Sequence, residues 1–169
     1  PGDVWVKPIK EATDAKIPVA TANMTSEQST SESWFGQDEY QSGVILASEI
    51  RKSLEAEGKK SGKILAGICA PSVAVLQERY KGVKKGLEGS AYQITDAKDV
   101  GVENTANYSA WENQATANPD IVAAVGLCSM DIPNLAKLKT RSQAKWLIGG
   151  YDLNPETLEA VKSGNTQVT

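Results

Sequence analysis

Apolar residues fall into two recurring patterns along this chain, short continuous runs and spaced stripes, and from residue 38 onward the two alternate. The runs are Lys63 to Cys69, Tyr92 to Ala97, Ile121 to Cys128 and Lys145 to Asp152. Each has strand length and is bounded by turn-forming residues. The stripes have helical spacing. From Asp38 to Glu57, Tyr40, Val44, Ala47, Ile50 and Leu54 recur at steps of three and four, with Gly58 as a stop. From Ser72 to Leu87, Val73, Leu76, Tyr80, Val83 and Leu87 share one face. Asn104 to Ala117 is a helix ended by Asn118–Pro119, and Pro133 to about Thr140 is a shorter one. Asn154 is a good N-cap and Pro155 a good first residue for a last helix to about Gly164, after which "NTQVT" starts a strand. Continuous apolar strands alternating with amphipathic helices predict an α/β fold, a parallel sheet with helices on both faces and right-handed crossovers.

The first residues do not fit that alternation. Pro8 to Ala15 reads as a helix and Ile17 to Asn23 as a buried strand, followed by a polar connector from Met24 to Ser33 and a short strand in "SWFG". One helix and one strand cannot bury their apolar faces against each other alone. Val4, Trp5, Ile9, Ile17, Val19 and Ala20 would leave a contiguous apolar patch in water, so this piece is expected to dock on something further.

Composition removes several kinds of chemistry. Histidine is absent, which excludes Ser/His/Asp and Cys/His catalysis and the usual His-containing zinc sites. Cys69 and Cys128 form no metal spacing. A net charge of −3, with both signs interspersed, leaves no basic patch for nucleic acid. No apolar run approaches the ~18 residues of a membrane span. No GxGxxG is present, and "GICAPSVA" lacks what a phosphate loop needs.

In parallel α/β sheets, ligands gather at the carboxyl ends of the strands. Here those ends carry Cys69–Ser72, Ala97–Asp99, Cys128–Asp131 and Tyr151–Asn154. The set is rich in Asp, Asn and Ser and poor in nucleophile–base pairs. Asp152 reads either as a capping carboxylate or as a ligand contact. Asn154 already fills the cap role, which favours ligand contact for Asp152. Arg79 alone reads as a solvated helix charge. Trp34, Phe35 and Trp111 have faces that stack on sugars, but an aromatic inside a strand or helix is more often core, and core is expected for them.

The stretches "KPIKEATDAKIPVATAN", "FGQDEYQSG", "GKILAGIC", "QERYKGVKKGL", "NPDIVAAVG" and "IGGYDLNPETLEAVKSG", in this order and spacing, resemble type I periplasmic solute-binding proteins of the ribose and galactose kind. The resemblance covers nearly the whole chain. It implies one lobe of a two-lobed hinged fold, with sheet order 2-1-3-4-5 counted from "KILAGIC" to "NTQVT". Residues 1–33 would be a remnant of the N-terminal lobe with the first hinge crossing, and 34–169 the C-terminal ligand-binding lobe. The missing N-terminal lobe, or a second copy of the chain, would cover the apolar patch. By this resemblance Arg79 in "QERYKG" contacts the sugar and Asp152 in "GGYDLNP" accepts its hydroxyls. Ser129, with Asp131 beside it, stands where the family often has an Asn–Asp pair, a departure that leaves the sugar open.

The implied function is binding of a sugar or related small polar solute and delivery to the permease of an ABC transporter, with no catalysis, cofactor or metal. The implied place is the periplasm, or the outside of a Gram-positive cell on a lipid anchor, with a signal peptide in the full-length protein. The alternative is the ligand-sensing core of a LacI-type regulator or sensor receptor, which shares the fold. An enzyme using Cys69 as nucleophile is disfavoured, because no His or nearby Lys lowers its pKa. Cys69 and Cys128 end neighbouring strands in the implied order, within disulfide reach at ~4.8 Å strand spacing. Two buried free thiols are nevertheless the expected state, since Cys packs well as a small apolar group.

Overall fold

A computed structural model of the chain describes residues 2–169. It opens with a 3-10 turn, Gly2–Trp5, that runs into helix α1, Val6–Asp14. Strands β1, Ala20–Ala22, and β2, Ser33–Phe35, follow. The remaining elements are α2 (Glu39–Ala56), β3 (Gly62–Ile68), α3 (Ala74–Leu87), β4 (Tyr92–Ile94), β5 (Lys98–Asp99) and α4 (Asn104–Ala117). They end with β6 (Ile121–Gly126), α5 (Asp131–Ser142), β7 (Leu147–Gly149) and α6 (Pro155–Lys162).

The main sheet is parallel, in the order β4-β3-β6-β7, with β5 pairing the carboxyl end of β3 beyond β4. A parallel bridge between Gly149 and Val168 places the last segment beyond β7. The order is therefore 2-1-3-4-5, as expected.

Side chains alternate between the two faces of the sheet. Ile64, Ile68, Val125 and Leu147 pack under α2 and α3, whereas Leu65, Ala124 and Ile148 pack under α4, α5 and α6. The α2 face differs from the expected stripe. Tyr40 is exposed, and Gly43 and Leu46 are buried beside Ala47, Ile50 and Leu54. A Cβ on Gly43 would overlap the Arg79 carbonyl, and one on Gly82 would overlap the Tyr40 carbonyl. Glycine at both positions thus brings the backbones of α2 and α3 into contact.

The amino-terminal pieces form a separate small sheet. β1 and β2 pair in parallel, Ala20 with Ser33 through Ala22 with Phe35. This pairing joins segments on both sides of residue 33. Trp5 is 61% exposed, and an open cavity of about 260 Å³ lies between it, Ile9, Val19 and Met24. Trp34 and Phe35 do not enter a core as expected. They are 44% and 67% exposed, because none of the described residues forms a layer over them. Trp111 is fully buried, as expected. Among the described residues no helix is long and apolar enough to cross a membrane.

Candidate functional site

The carboxyl ends of β3, β6 and β7 lead into the loops expected to carry chemistry. A disulfide joins the first two. Cys69 follows β3, Cys128 lies two residues past β6, and they are bonded with their Cα atoms 6.1 Å apart. The expectation of free thiols is thus overturned. The strands are direct neighbours, and their register brings the two chain exits face to face. The bond also removes Cys69 as a nucleophile.

Arg79 sits on the second turn of α3 and reaches across to this edge. Its Nε and Nη2 donate to Glu39 at 2.5 and 3.2 Å, and its Nη1 donates to the Leu127 carbonyl at 2.9 Å. The guanidinium lies 4.1 Å above the centre of the Tyr151 ring. It is therefore not the solvated charge that composition alone suggests. Three of its five N–H groups are engaged by Glu39 and Leu127, which leaves one on each terminal nitrogen.

Glu39 is the partner of Arg79 that the sequence does not single out, and Tyr151 appears there only as the start of the Tyr151–Asn154 stretch. Glu39 opens α2 directly after the N-cap Asp38, whose carboxylate accepts from Gln41 N–H at 2.8 Å. Gln37 also donates to Glu39 at 2.8 Å. The Tyr151 hydroxyl shares a 3.2 Å hydrogen bond with Ser42, whose own hydroxyl donates to the Glu39 carbonyl. Burial pushes the Tyr151 phenol above its ordinary pKa, and the Ser42 hydrogen bond and Arg79 charge pull it back in part.

Asp152 follows Tyr151 directly. Its backbone is left-handed, with φ of 72°, a conformation that Asp tolerates better than most residues and that recurs at ligand sites. Its carbonyl accepts from the Thr169 hydroxyl at 2.9 Å, while its exposed carboxylate has no protein partner among the described residues. Asn154 caps α6 through Thr157 N–H at 2.8 Å, as expected, which leaves Asp152 uncommitted. A cavity of about 550 Å³ opens between Gln37, Ser42, Tyr151, Asp152 and Thr169. Arg79, Ser129 and Asp131 do not line it.

Ser129 is half-buried, and its carbonyl accepts from the Asn154 side chain at 3.0 Å, which ties its loop to the Asp152 loop. Asp131 has a different environment. It is fully buried, and Asn107 and Trp111 donate to one carboxylate oxygen at 2.8 and 3.0 Å. The Cys128 N–H donates to the other at 2.8 Å. This ties α4 and the β6 exit to the start of α5 and places Asp131 beneath the loop surface. Arg79 thus lies on the Tyr151 ring, Asp152 follows Tyr151 in sequence, the Ser129 carbonyl is tied to the Asn154 side chain, and Asp131 is buried. Among the described residues no cluster of three or more metal-ligating side chains is present.

Comparison with known proteins shows the family and the fold. Residues 2–169 match the family described as periplasmic binding protein domain. The ribose import binding protein RbsB of Salmonella typhimurium is 28% identical over 162 residues, covering 95% of this chain and 53% of the relative. The xylose/arabinose-binding protein XylF of Sulfolobus acidocaldarius is 25% identical over 180 residues, covering 96% and 43%. The solved structure of an ABC transporter solute binding protein from Burkholderia graminis, in complex with D-arabinose, aligns with a TM-score of 0.88 at 22% identity. That alignment covers 99% of this chain and 59% of that one. The chain spans about half the length of the curated relatives it matches.

Proposed function

Because this chain belongs to the periplasmic binding protein domain family, we propose that the protein binds a sugar, or a related small polar solute, between this lobe and a second, N-terminal lobe and delivers it to an ABC transporter. The observation that carries the reading is the edge where Arg79 stacks on Tyr151, next in sequence to Asp152. A sugar loses water from many hydroxyls at once, and each needs a fixed partner if the desolvation cost is to be recovered. Arg79 offers N–H groups that the lobe does not use, on a guanidinium held from three sides. Asp152 offers a carboxylate with no competing partner. The relatives' ribose, xylose and arabinose make a pentose the first ligand to test.

Residues 1–33 fit a remnant of the N-terminal lobe, whose remainder would cover the open face at Trp5; a second copy of the chain is the other occupant the patch admits. The Cys69–Cys128 disulfide suits an oxidising compartment, the periplasm or the outer face of a lipid-anchored protein.

Calorimetry on the full-length protein with D-ribose, D-arabinose and D-xylose tests the reading. Asp152→Ala should cost ~1.5–3 kcal/mol of affinity for the sugar that binds, the scale of a charge-assisted hydrogen bond. Unchanged affinity removes Asp152 from the site, and no binding of any sugar defeats the reading as a whole.

A further inference from the structure

Glu39 is the least expected member of the site. It is 7% exposed on the first turn of α2, and its carboxylate meets Arg79 side-on through both oxygens. The two residues are far apart in sequence, and the close α2–α3 crossing at Gly43 and Gly82 is what makes them meet. Such a pair does two things. It fixes the plane of the guanidinium, since a bidentate fork has one good geometry. It also cancels the Arg79 charge within the lobe. Asp152 adds an exposed carboxylate with no partner among the described residues, while Asp131 lies buried below. The Arg79 guanidinium thus presents positioned N–H donors with its own charge already paired, while Lys98 stands exposed at the neighbouring end of β5.

The geometry points to Glu39 as a positioning residue for Arg79 that also sets charge selectivity, admitting neutral polyhydroxy ligands and turning away those that carry a carboxylate. The inference rests on the sugar reading above and adds to it a residue and a rule of discrimination. An arginine without such a partner is the usual device for holding a carboxylate. Glu39 occupies the side of the fork that a ligand carboxylate would otherwise take.

The test uses the full-length protein and two sugar series, D-xylose, D-glucose and D-glucuronate, then L-arabinose, D-galactose and D-galacturonate. Within each series the ring hydroxyls match and the group at C5 changes. Wild type should bind a neutral member and disfavour the uronate. Glu39→Gln keeps the shape and removes the charge, so the neutral-to-uronate affinity ratio should fall about tenfold, one step of ~1.4 kcal/mol. Glu39→Asp keeps the charge and shifts the oxygens. It should weaken the neutral sugar by about tenfold while leaving the ratio near wild type. A purely structural role would lower both affinities together and leave the ratio fixed in Glu39→Gln.

A readout without ligand accompanies this. Phenylglyoxal modification of Arg79, followed by mass spectrometry, should be slow in wild type and faster in either variant. If Glu39→Gln does not fold, Glu39→Asp still decides the positioning role through this rate. An unchanged ratio in Glu39→Gln, or unchanged Arg79 reactivity in both variants, overturns the proposal. A wild type that binds neither series overturns the selectivity rule, and it defeats the sugar reading only if D-ribose and D-arabinose also fail to bind; the Arg79 rate then upholds or rejects Glu39 as a positioning residue by itself.

Discussion

Asp131 gives the most direct physical test of the lobe, because two opposed effects act on one fully buried carboxyl. Burial disfavours the charged form and raises its pKa. The donors from Asn107, Trp111 and the backbone at Cys128 favour the charged form and lower it. Burial wins, and the pKa rises from 3.8 to about 6. A carboxyl whose folded-state pKa is raised holds more protons in the folded than in the unfolded protein across that interval. Its stabilising contribution is therefore full below about pH 4 and is lost as pH rises through about 6. At 1.36 kcal/mol per pH unit, the loss is roughly 3 kcal/mol. Asp131→Asn has nearly the shape of the protonated carboxyl and cannot ionise. The stability of the variant relative to wild type should then shift in the variant's favour by roughly 3 kcal/mol between pH 4 and pH 7. Urea unfolding of both proteins at one-unit pH steps, followed by tryptophan fluorescence, measures this difference directly. Other titrating groups cancel in the comparison. A flat difference profile, or one that shifts towards wild type as pH rises, would refute the reasoning. It would mean that the donors outweigh burial and hold the carboxyl at or below its usual range.

Two further perturbations test the architecture under the site. Reducing Cys69–Cys128 opens a closure spanning 59 residues of sequence separation, which costs about 4 kcal/mol on the chain-entropy estimate. Calorimetric melting with and without reductant should show that fall, and intact masses that do not differ by about two daltons would mean that the thiols are free. Gly82→Ala places a methyl group against the Tyr40 carbonyl at the α2–α3 crossing and should destabilise by about 1–3 kcal/mol. The same variant should weaken sugar binding through a displaced Glu39–Arg79 pair, and a stability within error of wild type would show that the crossing is loose.

Much of the fold was legible because it rests on periodicity. The α4 limits match the expected residues 104–117, and the strand order follows from the βα alternation and the resemblance. Strand ends were less legible. β6 stops at Gly126 and β7 at Gly149, short of the apolar runs, because the last residues of each run turn out of the ladder into the loops that carry Cys128 and Asp152. Tyr40 was assigned to the α2 core because an apolar stripe gives no weight to glycine. The close crossing depends on the absence of a side chain at Gly43, and this rotates the buried face away from Tyr40. Trp34 and Phe35 were misplaced for a related reason. Strand aromatics are usually covered by a second layer, and here none of the described residues supplies one.

Within the site, Asp152 was readable from its place after an apolar run, with the helix cap already taken by Asn154, whereas Arg79 needed the family motif. Glu39 was readable from neither. An acidic residue in the first turn of a helix has a sufficient local explanation in the helix dipole, so its sequence context points to no distant partner. Only the packing of α2 on α3 shows that its carboxylate is buried against a guanidinium, and burial makes the pair consequential. An exposed pair of the same residues would contribute little. With 12% of the Arg79 side chain and 7% of the Glu39 side chain exposed, loss of either partner leaves a charge with little water to solvate it. The Glu39–Arg79 pair therefore depends on two glycines that take no part in it, Gly43 and Gly82, and so would the ligand discrimination proposed for it. A substitution at either should register first as altered recognition at Arg79, before the sheet itself is disturbed.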